Sequence, residues 1–181
     1  MSRYDPTRRG RGFSLVEVMV ALLVICVGLL GIAKLQALML SNTGISRTRA
    51  LAALEASSIA ATMHADRDYW AGTPAATTTV NTASSSITSA DPILATTPDC
   101  SFGGSDAPCT TTAKMAAYDL NHWMSDMAGV LPGSTAAIGC GANVGVVTCQ
   151  ITITWQENMV AANAQENTAA QTQHYQLVVN P

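Results

Sequence analysis

The sequence predicts an α+β fold in which one long N-terminal α-helix, half transmembrane and half amphipathic, packs on a small antiparallel β-sheet head. Three observations support this prediction. One apolar run lies near the N-terminus, an amphipathic helical pattern follows it directly, and clear strand alternation occurs only towards the C-terminus. A long helix first and antiparallel strands later are typical of the α+β class.

The apolar run covers residues 13–33 and contains a single charged side chain, Glu17. Its 21 residues match the roughly 20 that a helix needs to cross the hydrocarbon core of a bilayer. Four arginines precede the run, and the next arginine is Arg47. Because positive charge stays on the cytoplasmic side, we expect a cytoplasmic N-terminus and everything beyond about residue 40 outside the inner membrane.

The helical pattern continues beyond the apolar run because no proline occurs from Thr7 through Thr73. Apolar residues then recur at intervals of seven, seven, four, three and four, which places them on one stripe of a helix. We therefore expect helix from about Ser14 to about Met63. The stripe consists of Leu38, Ile45, Ala52, Ala56, Ile59 and Met63.

The remainder of the chain is predicted as a loop, a second helix and two strands. Residues 75–98 are rich in Thr, Ala and Ser, so we expect a loop there with at most one short strand. A second helix is predicted from about Thr112 to Ala128. Alternation predicts strands at 149–155 and 173–179, with residues 144–148 leading into the first strand or forming part of it.

Composition and charge argue against a nucleic-acid partner. The formal net charge is −3, and four of the nine basic residues lie in the first twelve positions. The rest of the chain is therefore acidic and cannot neutralise a run of phosphates.

The five cysteines fall into two groups, one in the apolar run and four in the C-terminal half of the chain. Cys26 lies in the apolar run and is interpreted as a small packing residue. The other four form two pairs of identical spacing, Cys100 with Cys109 and Cys140 with Cys149, and an even number outside the cytoplasm indicates disulfides. Three connectivities are possible, and we favour the two local loops because short separations meet most readily. No metal site is predicted, since these gaps lack the close ligand pairs of zinc sites.

No catalytic constellation is found, so neither an enzyme activity, a cofactor nor a small-molecule substrate is predicted. The histidines lack metal-binding spacing. Gly139-Cys140-Gly141 with Gly145 is interpreted as a cysteine-pinned turn rather than a dinucleotide loop. Asp66 and Asp68 follow the predicted helix and are interpreted as surface charges. The histidines are His64, His122 and His174.

The segment Gly12-Phe13-Ser14-Leu15-Val16-Glu17, behind a basic leader and ahead of the apolar run, resembles the processing signature of type IV prepilins and the related pseudopilins. The resemblance implies that a dedicated membrane peptidase, the prepilin peptidase, cuts between Gly12 and Phe13. It also implies that Phe13 is then N-methylated and that Glu17 becomes the fifth residue of the mature chain.

With this resemblance the chain divides into four expected parts. A basic leader is removed on maturation, a transmembrane helix follows, the helix continues in amphipathic form, and a globular head completes the chain. These parts are residues 1–12, 13–40, 41–66 and 67–181.

Glu17 has two interpretations. A carboxylate inside an apolar helix is costly in a bilayer and is a functional candidate, although Glu17 lies close enough to the interface to stay hydrated. Cleavage would give Phe13 a largely cationic α-amine. Because neither charge is tolerable unpaired in a bundle of apolar helices, the resemblance implies that Glu17 faces the Phe13 amine of a neighbour or of its own chain.

Later residues resemble one group of minor pilins, the PilV group or type IV pilus modification proteins. Asp119-Leu120 is followed by Trp123, then by Leu131-Pro132-Gly133 and by a Thr-Ile-Thr-Trp strand. This resemblance implies a minor pilin that takes part in type IV pilus assembly or initiation. Its partners would be other minor and major pilins, contacted through the N-terminal helix.

The expected location is the inner membrane, with one span and a periplasmic head before assembly, and the pilus or periplasm afterwards. Two alternative functions stay open. A pseudopilin of type II secretion carries the same N-terminal signal. A singly anchored periplasmic enzyme or binding protein would require an uncut N-terminus and a ligand pocket.

Overall fold

The structure is a computed structural model that describes residues 12–72, 77–143, 145–157 and 170–181. The chain divides into two compact units, Met1–Ser41 and Asn42–Pro181. The first helix contributes to both units, and all other elements belong to the second. In chain order the elements are α1 (Leu15–Ala65), α2 (Arg67–Trp70), β1 (Thr78–Asn81), β2 (Ser86–Thr88), α3 (Thr112–Val130), β3 (Thr135–Asn143), β4 (Val146–Glu157) and β5 (Gln171–Val179).

The first unit contains the apolar start of α1. Large apolar side chains such as Leu15, Leu22 and Leu29 are exposed along it. By length and composition α1 contains a stretch able to cross a membrane, and none of that stretch is buried within the protein. An apolar surface all round a helix is expected where lipid rather than water surrounds it.

The second unit is built on a five-stranded antiparallel sheet with strand order β2-β1-β3-β4-β5. The register places Ile151 of β4 between Ile138 and Leu177, and Ile153 between Ala136 and Tyr175. These residues point to one face because side chains alternate along a strand. Ile138, Ile151 and Ile153 are buried there, so this face carries the core.

The amphipathic part of α1 supplies one half of that core. Ala52, Ala56, Ile59 and Met63 of the predicted stripe are all buried, while Arg47 is exposed. Alanines on this stripe let the helix backbone approach its neighbours closely. The predicted helix from about Ser14 to Met63 is confirmed, with observed ends only one and two residues away.

Helix α3 supplies the other half of the core. It starts where the Thr111 hydroxyl accepts a hydrogen bond from the Lys114 amide, an N-cap. Leu120, Trp123 and Met127 lie buried on its inner face. The Trp123 indole donates a hydrogen bond of 3.0 Å to the Glu55 carbonyl and so ties α3 to α1.

The strand predictions are partly confirmed. Strands β4 and β5 lie where alternation predicted them, and β4 begins within the 144–148 segment as part of one strand. The predicted loop at 75–98 instead holds two strands, the β1–β2 hairpin.

The turn interpretation of Gly139-Cys140-Gly141 is wrong. These residues lie inside β3, and Cys140 stands directly opposite Cys149 of β4. The turn lies further on, at Gly145 with φ +83°. Gly and Ala favour strands weakly, but pairing of β3 with β4 from Val146 to Thr154 overrides that preference.

Each disulfide joins the cysteines of one local pair, Cys100 with Cys109 and Cys140 with Cys149. The first closes the loop ahead of α3, and the second links β3 to β4. Cys26 is free and exposed. The pairing is the one that the sequence analysis favoured.

Replacing both Cys140 and Cys149 with serine is expected to lower the free energy of unfolding by about 2–4 kcal/mol, because the cross-link restricts the unfolded chain. Urea unfolding of the full chain in detergent measures this difference. Cys26→Ser is the matched control and should unfold like the wild type. Equal unfolding midpoints for the double variant and the wild type under oxidising conditions would contradict the prediction.

Candidate functional site

The expected cleavage point lies in an open, non-helical segment directly before α1. Gly12, Phe13 and Ser14 are exposed, and the Phe13 side chain is 82% accessible. A Cβ added at Gly12 would meet nothing within 4 Å. The chain itself therefore does not require glycine there, so any such requirement would come from the enzyme that binds this segment.

The hydrogen-bonded part of α1 begins at Ser14, whose carbonyl accepts from the amides of Glu17 at 3.0 Å and Val18 at 3.3 Å. Glu17 consequently lies in the first turn of α1 with an exposed side chain. A carboxylate is favourable there because the helix N-terminus carries partial positive charge. Phe13 and Glu17 thus lie at the same end of one helix, within about one turn of each other.

The four disulfide cysteines lie in the second unit, whereas Gly12, Phe13 and Glu17 lie in the first. The residues predicted from the sequence therefore form two separate groups. The sequence analysis assigns processing and assembly to the first group, and the second group forms the two disulfides.

The second unit, Asn42–Pro181, is called the head from here on, and it contains an ion pair that the sequence analysis missed. Arg49 of α1 donates two hydrogen bonds to the carboxylate of Glu157 on β4, Nε to Oε1 at 3.1 Å and Nη2 to Oε2 at 3.0 Å. The Glu157 side chain is 3% exposed, and it also accepts from the Trp155 indole at 3.1 Å. The available signal was the strand alternation, which points Glu157 to the same inner face as Trp155.

Burial by itself raises the pKa of Glu157, but the hydrogen bonds from Arg49 and Trp155 and the charge of Arg49 outweigh that effect. The pKa therefore lies below its ordinary value, and Glu157 is an anion in the folded head. Its position links the amphipathic part of α1 to the sheet.

The junction of α1 and α2 contains a carboxylate, Asp66, whose surroundings the sequence analysis did not predict. Asp66 is half-buried, and its Oδ2 atom has no hydrogen-bond partner among the described residues. Burial, followed by the charges of Asp119 and Asp68, raises the pKa of Asp66 to about 6. The interpretation of Asp66 as a surface charge is wrong, because Asp66 is half-buried at the start of α2; Asp68 is exposed.

Asp66→Asn is expected to stabilise the head at pH 7–8 by about 1 kcal/mol, a value reduced for solvent screening because Asp66 is only partly buried. A raised pKa means that ionised Asp66 weakens folding above about pH 6 and that this penalty fades as the carboxyl binds a proton. The advantage should vanish below pH 3.8, the ordinary pKa. Urea midpoints across this range test it, with exposed Asp68→Asn as the comparison; that variant removes only one neighbouring charge and should gain less, so equal midpoints for both variants at pH 8 would contradict the prediction.

Among the described residues, no group of three or more His, Cys, Asp or Glu side chains is arranged to hold a metal ion. Lys114 and Asp106 form the other ion pair in this part of the chain, at 2.9 Å. It joins the first disulfide loop to α3.

Comparison with known proteins gives a match in the N-terminal segment. Residues 7–33 match the family described as the prokaryotic N-terminal methylation motif. No curated protein and no solved structure matches the chain. The matched stretch contains Gly12, Phe13, Glu17 and most of the apolar run. The matched motif is a type IV pilin-like prepilin signal, and the stretch of α1 that follows it is long and apolar enough to cross a membrane.

Proposed function

We propose that this chain is a minor pilin, cut by prepilin peptidase between Gly12 and Phe13 and then used in type IV pilus assembly or initiation. The observation that carries the proposal is the exposed Gly12–Phe13 bond ahead of α1, within the matched methylation motif and one turn from Glu17. Its partners are the peptidase, the inner membrane, and other minor and major pilins that contact the apolar part of α1.

A minor pilin is favoured over a pseudopilin by the residues that resemble the PilV group. In the head Leu120, Trp123 and Leu131 are buried, and Gly133 has φ +75°, so this run forms part of the core and the turn into β3. A pseudopilin of type II secretion is the second candidate because the N-terminal motif is common to both. Before assembly, the proposed topology has a cytoplasmic N-terminus and a periplasmic head.

Co-expression with prepilin peptidase is expected to give a mature chain that begins with N-methylated Phe13. Intact mass and N-terminal sequencing measure this directly. Gly12→Leu should leave the chain uncut, whereas Gly10→Leu, two residues earlier in the leader, should be cut normally. A wild-type chain that stays uncut beside a demonstrably active peptidase would refute the proposal.

Fractionation then separates the two candidates. Recovery of the mature chain in pili sheared from the cell surface supports a minor pilin. Cleavage together with strict confinement to the cell envelope would instead favour the pseudopilin.

A further inference from the structure

The two edges of the sheet differ sharply in length. At one edge β2 has three residues, and at the other β5 has nine. Within the described ranges, no strand pairs with the outer side of β5. A short edge strand offers little backbone for pairing, whereas a long one presents a row of free amide and carbonyl groups.

Strand β5 also lacks the features that normally protect an edge. It contains no Asp, Glu, Lys, Arg or Pro. All nine residues pair with β4 in one continuous register, so no bulge turns the edge away. Val178, near its end, is 62% exposed. Because proteins usually blunt such an edge with charge, proline or a bulge, this edge is suited to pairing.

The register shows which backbone groups face outward. The Cα atoms of Cys140 and Cys149 are 4.0 Å apart, the close spacing of a pair that does not exchange backbone hydrogen bonds. Cys149 therefore bonds to β5 instead, as do Ile151 and Ile153. The intervening residues of β5 direct their amide and carbonyl groups away from β4, and all have exposed side chains; they are Thr172, His174, Gln176 and Val178.

We propose that β5 pairs antiparallel with β5 of a second copy of this chain. Self-pairing brings no like charges together because β5 carries none. Self-pairing also leaves no long edge strand for a further copy, since the joined sheet would have only the three-residue β2 strands as its edges. A strand from a different protein would bring a new edge of its own, and β5 offers no charged side chain to select it.

The mass of the full chain in detergent micelles tests this pairing. We expect a dimer at low micromolar concentration and a halved protein mass for Gln176→Pro, which removes an outward amide but no hydrogen bond to β4. Gln176→Ala keeps the amide and should stay dimeric. A monomeric wild type, or a Gln176→Pro variant that remains dimeric, would overturn the proposal.

Cysteine cross-linking gives an answer even if the proline variant fails to fold. Thr172, His174, Gln176 and Val178 are replaced one at a time by cysteine in a Cys26→Ser background, and the variants are oxidised singly and in mixtures. Cross-links should cluster around one point of β5, the two-fold axis. No cross-link above that of Ser86→Cys, on the opposite edge, would overturn the proposal. Neither result depends on cleavage at Gly12, so the proposed function is tested separately.

Discussion

Replacing Glu17 with alanine is expected to reduce incorporation of the subunit into filaments at least tenfold while leaving cleavage and membrane insertion intact. The reason is the amine that cleavage creates on Phe13, which needs a nearby anion once apolar helices pack together. Insertion itself should not suffer, because removing a carboxylate from an apolar helix lowers the cost of entering the bilayer. The measured quantity is the ratio of mature chain in sheared filaments to mature chain in membranes.

Two further variants identify the cause of the loss. Glu17→Gln keeps the size and hydrogen-bonding capacity of the side chain but not the charge, so it should fail as well. Ser14→Ala changes a polar side chain in the same turn and should assemble normally. Normal incorporation of Glu17→Ala would remove the proposed role of this carboxylate without affecting the cleavage site.

Replacing Arg49 with alanine is expected to lower the melting temperature of the head by roughly 5 °C at pH 7. The loss arises at Glu157, whose side chain is 3% exposed and would lose the cation that offsets the cost of burying its charge. Arg47→Ala is the matched control, since Arg47 is an exposed arginine on the same helix. Circular dichroism of the full chains measures both, and equal melting temperatures for the two variants would contradict the prediction.

The pH dependence of this effect has a definite sign. The folded-state pKa of Glu157 is lowered, so the ion pair stabilises the head at pH values above 4.5, the ordinary pKa of glutamate. This stabilisation is lost as the pH falls through the lowered pKa. The difference between Arg49→Ala and wild type should therefore shrink in acid. Adding Glu157→Gln to Arg49→Ala should restore part of the stability at pH 7, since no unpaired buried charge remains.

The elements that the sequence predicted are those whose signal is local. The absence of proline and the spacing of the apolar stripe defined α1, and alternation defined β4 and β5. Strand β3 has no such signal, because its Gly and Ala residues become a strand only through pairing with β1 and β4. The β1–β2 hairpin is similar: Val80 is buried, but its neighbours are threonine and asparagine, which also suit loops.

The residues of the candidate site also differ in whether a local sequence signal identifies them. Gly12, Phe13 and Glu17 are close in sequence, so a motif sufficed to identify them as candidates. Arg49 and Glu157 are separated by 108 positions and meet only because α1 packs on the sheet. The raised pKa of Asp66 also depends on the fold, since part of it comes from repulsion by the negative charge of Asp119, a residue of α3.

The continuity of α1 has a mechanical consequence. The apolar start of α1 and the core stripe from Ala52 to Met63 belong to one helix, Leu15–Ala65. Within the second unit, a pull along the axis of α1 therefore acts on all the buried residues of that stripe at once. The stripe and the Arg49–Glu157 bond resist such a load together, so we expect them to break together rather than one contact at a time.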